Sequence, residues 1–202
     1  MTSETVQPSR PVSRSRGGTG RAGDETRAQI LDVALRLFTE RGYEGTSIRD
    51  LSDALGMTKS ALYYHFPSKE AIVMAVVDER RGELEELKTW VSAQPRTPDL
   101  LQRTALRWID STTPQRLQGL RFAHANRPVM ARLATQQQAS FRDWFHDIVT
   151  LALPADASVT DRLIGLMALD TVSSAMFAAR NSTAQTEDIL AAARAATIAL
   201  TS

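Results

Sequence analysis

The chain has 202 residues, no cysteine, 24 Lys and Arg against 23 Asp and Glu, and 43% hydrophobic residues. That length holds one or two domains with enough apolar side chains for a core. The absence of cysteine excludes a disulfide framework, a thiol nucleophile, an iron–sulfur cluster and any cysteine-ligated zinc. No stretch approaches the ~18 apolar residues of a membrane span, and the first twenty residues lack the apolar run of a secretory leader, so the sequence points to a cytoplasmic protein without membrane contact. A net charge of +1 names no partner; any nucleic-acid signature must lie in where the charges sit.

Residues 1–23 combine Pro, Gly, Ser and Thr with Arg10, Arg14, Arg16 and Arg21 against the single acid Glu4. Such a stretch cannot bury enough apolar surface to offset its ordering entropy, and it is expected to be a disordered basic arm. From Asp24 onward the apolar period is near 3.6 and no alternation long enough for a strand occurs, so the ordered part is expected to be all-α. Asp24 caps a first helix whose stripe is Ile30, Leu31, Ala34, Leu37 and Phe38, stopped at Arg41-Gly42. Ser47 and Asp50 form a capping box for a short second helix that Gly56 ends. Thr58 caps a third, Lys59 to Phe66, which Pro67 prevents from continuing. Ser68 opens a fourth helix reaching about Trp90, with Ile72, Val73, Ala75, Val76, Leu84 and Leu87 inside and Arg80, Arg81, Glu83, Glu85, Glu86 and Lys88 on the far side. Pro95 and Pro98 form the clearest break. Five further helices are expected, at about 99–112, 115–125, 128–152, 160–181 and 186–200, with Pro114, Pro128 and Pro154 at the joints.

Two short helices around a glycine turn, braced by a preceding helix, form the helix-turn-helix arrangement that lays its second member in the DNA major groove. In helix three Leu62 and Phe66 face inward with Met57, leaving Lys59, Ser60 and Tyr63 on the opposite side. A cation, hydroxyls and an aromatic at a helix start suit phosphates and base edges, and Tyr64, His65 and Lys69 are placed for backbone phosphate. At these residues, from Ile30-Leu31-x-x-Ala34-x-x-Leu37-Phe38 through Gly42-Tyr43 and Thr46-Ser47 to Leu55-Gly56-Met57-Thr58-Lys59-Ser60-Ala61-Leu62-Tyr63-Tyr64-His65-Phe66-x-x-Lys69-Glu70, the chain resembles the DNA-binding domain of the TetR family of transcriptional regulators. The resemblance covers residues 24 to about 75. It implies nine helices, a homodimer, and a small-molecule effector in the C-terminal domain that controls binding to a palindromic double-stranded operator. It also implies that Thr58, Lys59, Ser60, Tyr63, Tyr64, His65 and Lys69 contact DNA, with Ser47 and Arg49 at the start of helix two as weaker candidates. Ala61 departs from the hydroxyl residue often found there, although its methyl can still touch thymine.

The domains expected are the arm at 1–23, a helix-turn-helix domain at 24–70, a linker helix at 71–94 and an effector-binding and dimerisation domain at 95–202. Residues 24–70 carry six bases and eight acids, so bulk charge does not predict DNA binding and local placement must. In the C-terminal part Trp108, Phe122, Trp144, Phe145, Met167 and Phe177 are bulky enough to line an effector pocket, beside the alternative that most are ordinary core. Arg103, Arg107, Arg121, Arg127 and Arg132 could hold an anionic effector, or simply be solvated. The last two helices carry many small apolar residues and suit a four-helix dimer interface. His124 and His146 have no partner at metal spacing, and no motif suggests a catalytic triad. Neither metal, cofactor nor enzymatic activity is expected. The dimeric repressor is the leading reading; the alternative is an all-α ligand-binding protein or enzyme whose helix-turn-helix no longer reads DNA.

Overall fold

A computed structural model describes residues 18–134 and 141–202. The described residues form eleven α-helices, one 3₁₀ turn and no strand. The helix-turn-helix region comprises α1 (Gly18–Arg41), α2 (Ile48–Leu55) and α3 (Lys59–His65), and the long α4 (Lys69–Ser92) leads out of it. Beyond the proline break come α5 (Leu100–Asp110), α6 (Pro114–Ala125), α7 (Arg127–Ala134), α8 (Phe141–Ala152), α9 (Val159–Leu169), α10 (Thr171–Ala178), the 3₁₀ turn Ala179–Asn181, and α11 (Thr186–Thr201).

The starts of α2, α3 and α4 follow from local chemistry. Ser47 and Asp50 make a reciprocal capping box, and the Thr58 and Ser68 hydroxyls accept from the amides of Ala61 and Ala71 at 3.1 Å each. Gly56 ends α2 at φ 64°, in the left-handed region that glycine enters without penalty. Pro114 sits in the first turn of α6, where its missing amide hydrogen costs nothing.

Two expectations are corrected, at the start of α1 and within 160–181. α1 begins at Gly18, and Asp24 lies inside it instead of capping it. Extending a nucleated helix by one residue costs far less than starting one, so the glycine-rich run is drawn into the helix. Of the expected arm, residues 1–17 lie outside the described residues. The expected 128–152 helix is represented by α7 and α8, with 135–140 outside the described residues. The expected 160–181 helix is broken at Asp170, which both ends α9 and begins α10. At the break the Thr171 hydroxyl lies 3.0 Å from the Ala168 carbonyl and 2.9 Å from the Thr197 hydroxyl of α11, which also reaches that carbonyl. The eleven helices thus correspond to the nine expected, with 160–181 broken in two and 128–152 described on either side of 135–140.

The core has three main parts. Ile30, Ala34, Phe38, Tyr43, Leu51, Leu62, Phe66 and Ile72 fill the centre of the helix-turn-helix region, and Phe122, Val129 and Leu133 from α6 and α7 belong to the same cluster. The helix-turn-helix region is therefore packed directly against the C-terminal helices, as well as joined through α4. A second cluster gathers Leu84, Leu87, Trp108, Ile148, Val149 and Leu169, and a third joins α5, α6, α10 and α11 through Ile109, Leu117, Val172, Met176 and Ile189. Asn126, buried at the end of α6, accepts from the Tyr43 amide at 3.2 Å and donates to the Phe122 carbonyl at 3.1 Å and the Phe38 carbonyl at 3.5 Å. No helix among the described residues is long and apolar enough to cross a membrane.

Candidate nucleic-acid interface and ligand cavity

α3 divides into an anchored side and an open one. Leu62 and Phe66 are fully buried, and Met57 packs against the same cluster. Burying these side chains fixes the rotation of the helix, at about 1.5–3 kcal/mol for each large apolar group. The same rotation sends Thr58, Lys59, Ser60, Tyr63 and Tyr64 outward. Tyr63 is 49% exposed and Tyr64 87% exposed, a large solvated aromatic surface with two hydroxyls and one ammonium beside it. Tyr64 makes an edge contact with His65, ring centroids 5.3 Å apart, and is otherwise in solvent, so it does not serve the core. Arg27 of α1, not singled out by the sequence, braces the far end: its guanidinium lies 4.1 Å over the Phe66 ring and donates to the His65 carbonyl at 3.1 Å.

The remaining expected DNA contacts are differently placed. Ser47 is exposed, but its hydroxyl and amide both donate to the Asp50 carboxylate, and these bonds hold that carboxyl below its usual range. Arg49 is exposed and 3.6 Å from Asp53, a solvated pair that costs little to open. Lys69 is turned inward: its ammonium donates to the Tyr43 and Thr46 carbonyls at 2.8 Å each and lies 4.4 Å from the Tyr43 ring. It ties the start of α4 to the α1–α2 loop. No sequence signal separates that from a phosphate contact, because the carbonyls it meets belong to residues 23 and 26 positions away.

The six side chains expected to line an effector pocket are not gathered around one cavity. A cavity of about 520 Å³ opens between α1, α4 and α6, and only Phe122 of the six lines it. Trp108 borders a second space, on the other side of Glu83 and Arg116, with Trp90, Arg103 and Arg107. Phe177 borders a third with His124 and Arg180. Trp144 and Phe145 pack into the α4–α5–α8–α9 core, Phe145 edge-on to Trp108 at 5.9 Å. Met167 is 57% exposed on the outer face of α9. The physical reason is rotational: these residues lie on different helices whose buried faces point at different neighbours. Arg80, expected on a solvated face, is instead largely buried, 3.7 Å over the Trp108 ring and hydrogen-bonded to Glu83; burial pulls its guanidinium down to about 10.

The profile of bacterial regulatory proteins of the tetR family matches residues 30–76, the span that contains α2, α3 and their supporting faces. The transcriptional repressor KstR2 of Rhodococcus jostii is 40% identical over 77 residues, 38% of this chain and 34% of that protein. The transcriptional regulator AcrR of Shigella flexneri is 32% identical over 99 residues, 48% of this chain and 46% of its own length. The sequence matches thus span about a third to a half of these relatives. In fold the likeness is wider: a TetR-family transcriptional regulator of Pectobacterium atrosepticum superposes with a TM-score of 0.50 at 24% identity, covering 93% of this chain and 94% of that one. The sequence of the tetR family thus lies on residues 30–76, and the fold of a TetR-family regulator extends over most of the chain.

Proposed function

We propose that this protein is a sequence-specific DNA-binding transcriptional regulator, a homodimeric repressor that leaves a palindromic operator when a small molecule binds. The observation that carries the reading is the outward row Thr58, Lys59, Ser60, Tyr63 and Tyr64 on a helix whose opposite face is buried. Solvated tyrosines of this size have no packing role, whereas hydroxyls, an ammonium and aromatic faces suit phosphates and base edges in a major groove. Ser47 and Arg49, at the start of α2, are suited to flanking phosphates.

Dimerisation is supported by the outer surface of the last helices. Val159, Leu163 and Met167 recur at four-residue spacing along α9 and are all exposed, and Ile198 of α11 is exposed as well. A row of large apolar side chains at that spacing forms one helix face, and exposed apolar patches of this kind mark interaction surfaces. A two-fold pairing there would set two α3 helices at the spacing of adjacent major grooves.

Selection of bound fragments from random duplex DNA tests the reading. A palindromic sequence enriched by the native protein and lost with Tyr63→Ala and Lys59→Ala is expected; enrichment unchanged by both substitutions, or no enrichment at all, refutes it. Met167→Glu is expected to shift the protein from dimer to monomer in sedimentation.

A further inference from the structure

We propose that the cavity between α6, α10 and the start of α11 binds a small organic anion, a carboxylate with an aromatic or other apolar body, held by Arg121 and Arg180 beside the Phe177 ring. Its volume is about 380 Å³, within the range of small-molecule sites. Met176 and Ile189, both buried, supply apolar lining. Phe177 is 53% exposed, with the Arg180 guanidinium 5.7 Å from its ring centroid and the His124 ring 6.4 Å away. A bare inorganic anion would leave this apolar surface uncovered, so the ligand carries an apolar body as well as a charge.

The lining decides the sign of the ligand. Its described residues include Arg121 of α6, Arg180 of the 3₁₀ turn and His124, and none of them is acidic. The cavity between α1, α4 and α6 and the space beside Trp108 each mix acids with bases, and neither selects a charge. Arg121 and Arg180 are both exposed, and among the described residues neither makes a hydrogen bond or an ion pair. His124 has its Nε2 2.9 Å from the Ser173 hydroxyl. Asp170, whose charge is felt by His124, is hydrogen-bonded to Ser173 and Ser174 and lies outside the lining. Two guanidiniums bordering one concave space focus a positive potential into it, and their planar donor forks match a carboxylate. A carboxylate would meet donors that lack an acceptor, and its body would meet the Phe177 face. A cation would meet like charge.

The binding half of this inference stands by itself; its regulatory half, that the anion is the effector, rests on the DNA-binding function proposed above. Thr39, in the last turn of α1, also lines the cavity, and α1 leads from there into the helix-turn-helix. A ligand bridging Arg121 and Arg180 ties α6 to the turn after α10, and it alters DNA binding only as far as it prefers one setting of α1 on α6 over another. Such coupling is reciprocal, so operator binding changes the affinity for the ligand by the same factor.

The test uses naphthoate and naphthylmethylammonium, aromatic ions of similar shape and opposite charge, titrated calorimetrically into the full chain. The carboxylate is expected to bind at least about fivefold more tightly than the ammonium, and Arg121→Gln and Arg180→Gln are each expected to weaken it roughly fivefold without weakening the ammonium, as befits solvated ion pairs. Neither substitution removes a hydrogen bond or an ion pair among the described residues, so both results stand even if a cavity-filling variant fails to fold. Ala125→Trp, at an exposed position of the lining, is expected to block the carboxylate. No binding of the carboxylate, equal or tighter binding of the ammonium, or carboxylate affinity unchanged in either arginine variant overturns the site. With a selected operator duplex bound, naphthoate affinity is expected to fall at least about fivefold relative to an unselected duplex of the same length; equal affinities overturn the regulatory half. Failure of the protein to select any DNA would refute the proposed function and leave the calorimetric test of the cavity intact.

Discussion

Asn126 is the most direct point at which to perturb the joint between the recognition region and the C-terminal helices. Asn126→Ala removes the acceptor of the Tyr43 amide and the donor to the Phe122 and Phe38 carbonyls. These losses are unequal. The Phe122 carbonyl keeps the Asn126 backbone amide at 2.9 Å, and the Phe38 contact is long at 3.5 Å. Tyr43 is 1% exposed, so its amide is left unpaired and poorly reached by water. An orphaned buried donor costs about 1–3 kcal/mol, and that is the expected loss in urea unfolding, seen as a lower midpoint at unchanged slope. The Tyr43 amide should also exchange with solvent faster than in the native protein. An aspartate at the same position keeps an acceptor but sets a carboxylate against two carbonyls; its deficit should shrink as the pH falls and the carboxyl takes up a proton. Stability of Asn126→Ala within about 0.5 kcal/mol of native, the range of an ordinary surface change, would refute the role given to this side chain.

Lys69→Met should lower the unfolding free energy by about 2 kcal/mol or more, because it removes two charged hydrogen bonds to carbonyls, whereas Lys59→Ala should leave thermal stability unchanged and reduce the salt slope of operator binding by about 1. Gly165→Ala should destabilise: its Cβ would lie 2.8 Å from Val149 Cγ1 and 3.3 Å from Leu101 Cδ1, and an overpacking cost of about 1–3 kcal/mol exceeds or cancels the ~1 kcal/mol gained in helix preference. Adding Val149→Ala should make the pair less destabilised than the sum of the two single changes, and strict additivity in unfolding would contradict the contact. Asp50 and Asp161, held below the usual carboxylate range by Ser47 and Ser158, contribute stability that is present above the ordinary aspartate value and lost as pH falls through their depressed ones. Acid titration of unfolding below about pH 4 should therefore show a shallower loss in Asp50→Asn and Asp161→Asn than in the native chain.

The recognition region was largely legible because its determinants are local. Ser47, Thr58 and Ser68 cap helices within three residues of themselves, and Leu62 and Phe66 fix the rotation of α3 by their spacing alone. Lys69 was not legible, since nothing in its neighbourhood along the chain indicates that it turns inward to the α1–α2 loop. The break at Asp170 was hidden for a related reason. Its neighbours are as apolar as the rest of the segment and contain no proline, and the kink is held by Thr197 of α11, 26 residues beyond Thr171.

The cavity between α1, α4 and α6 marks the limit most clearly. Aromatic bulk was the sequence signal for an effector pocket, yet bulk is what a helical core consumes first: Trp108 and Phe145 meet edge-on and fill the space between α5 and α8. Open volume survives where shorter side chains face one another, at Leu31 and Leu35, Val73 and Val76, and Gly119 and Ala123, residues from three helices far apart in the chain. The charge pattern has the same origin. Arg80 and Glu83 look like solvated surface in sequence, but once α4 packs on α6 the Glu83 carboxylate accepts from both Arg80 and Arg116, and the Arg116 Nη1 is left buried without a hydrogen-bond partner. The residues expected to contact DNA thus lie in one contiguous run, whereas this cavity exists only when α1, α4 and α6 are brought together. A molecule held there would lie against α1 itself and against Phe122, which belongs to the same core as Leu62 and Phe66 of the α3 region, so its route to α3 would not have to run the length of α4.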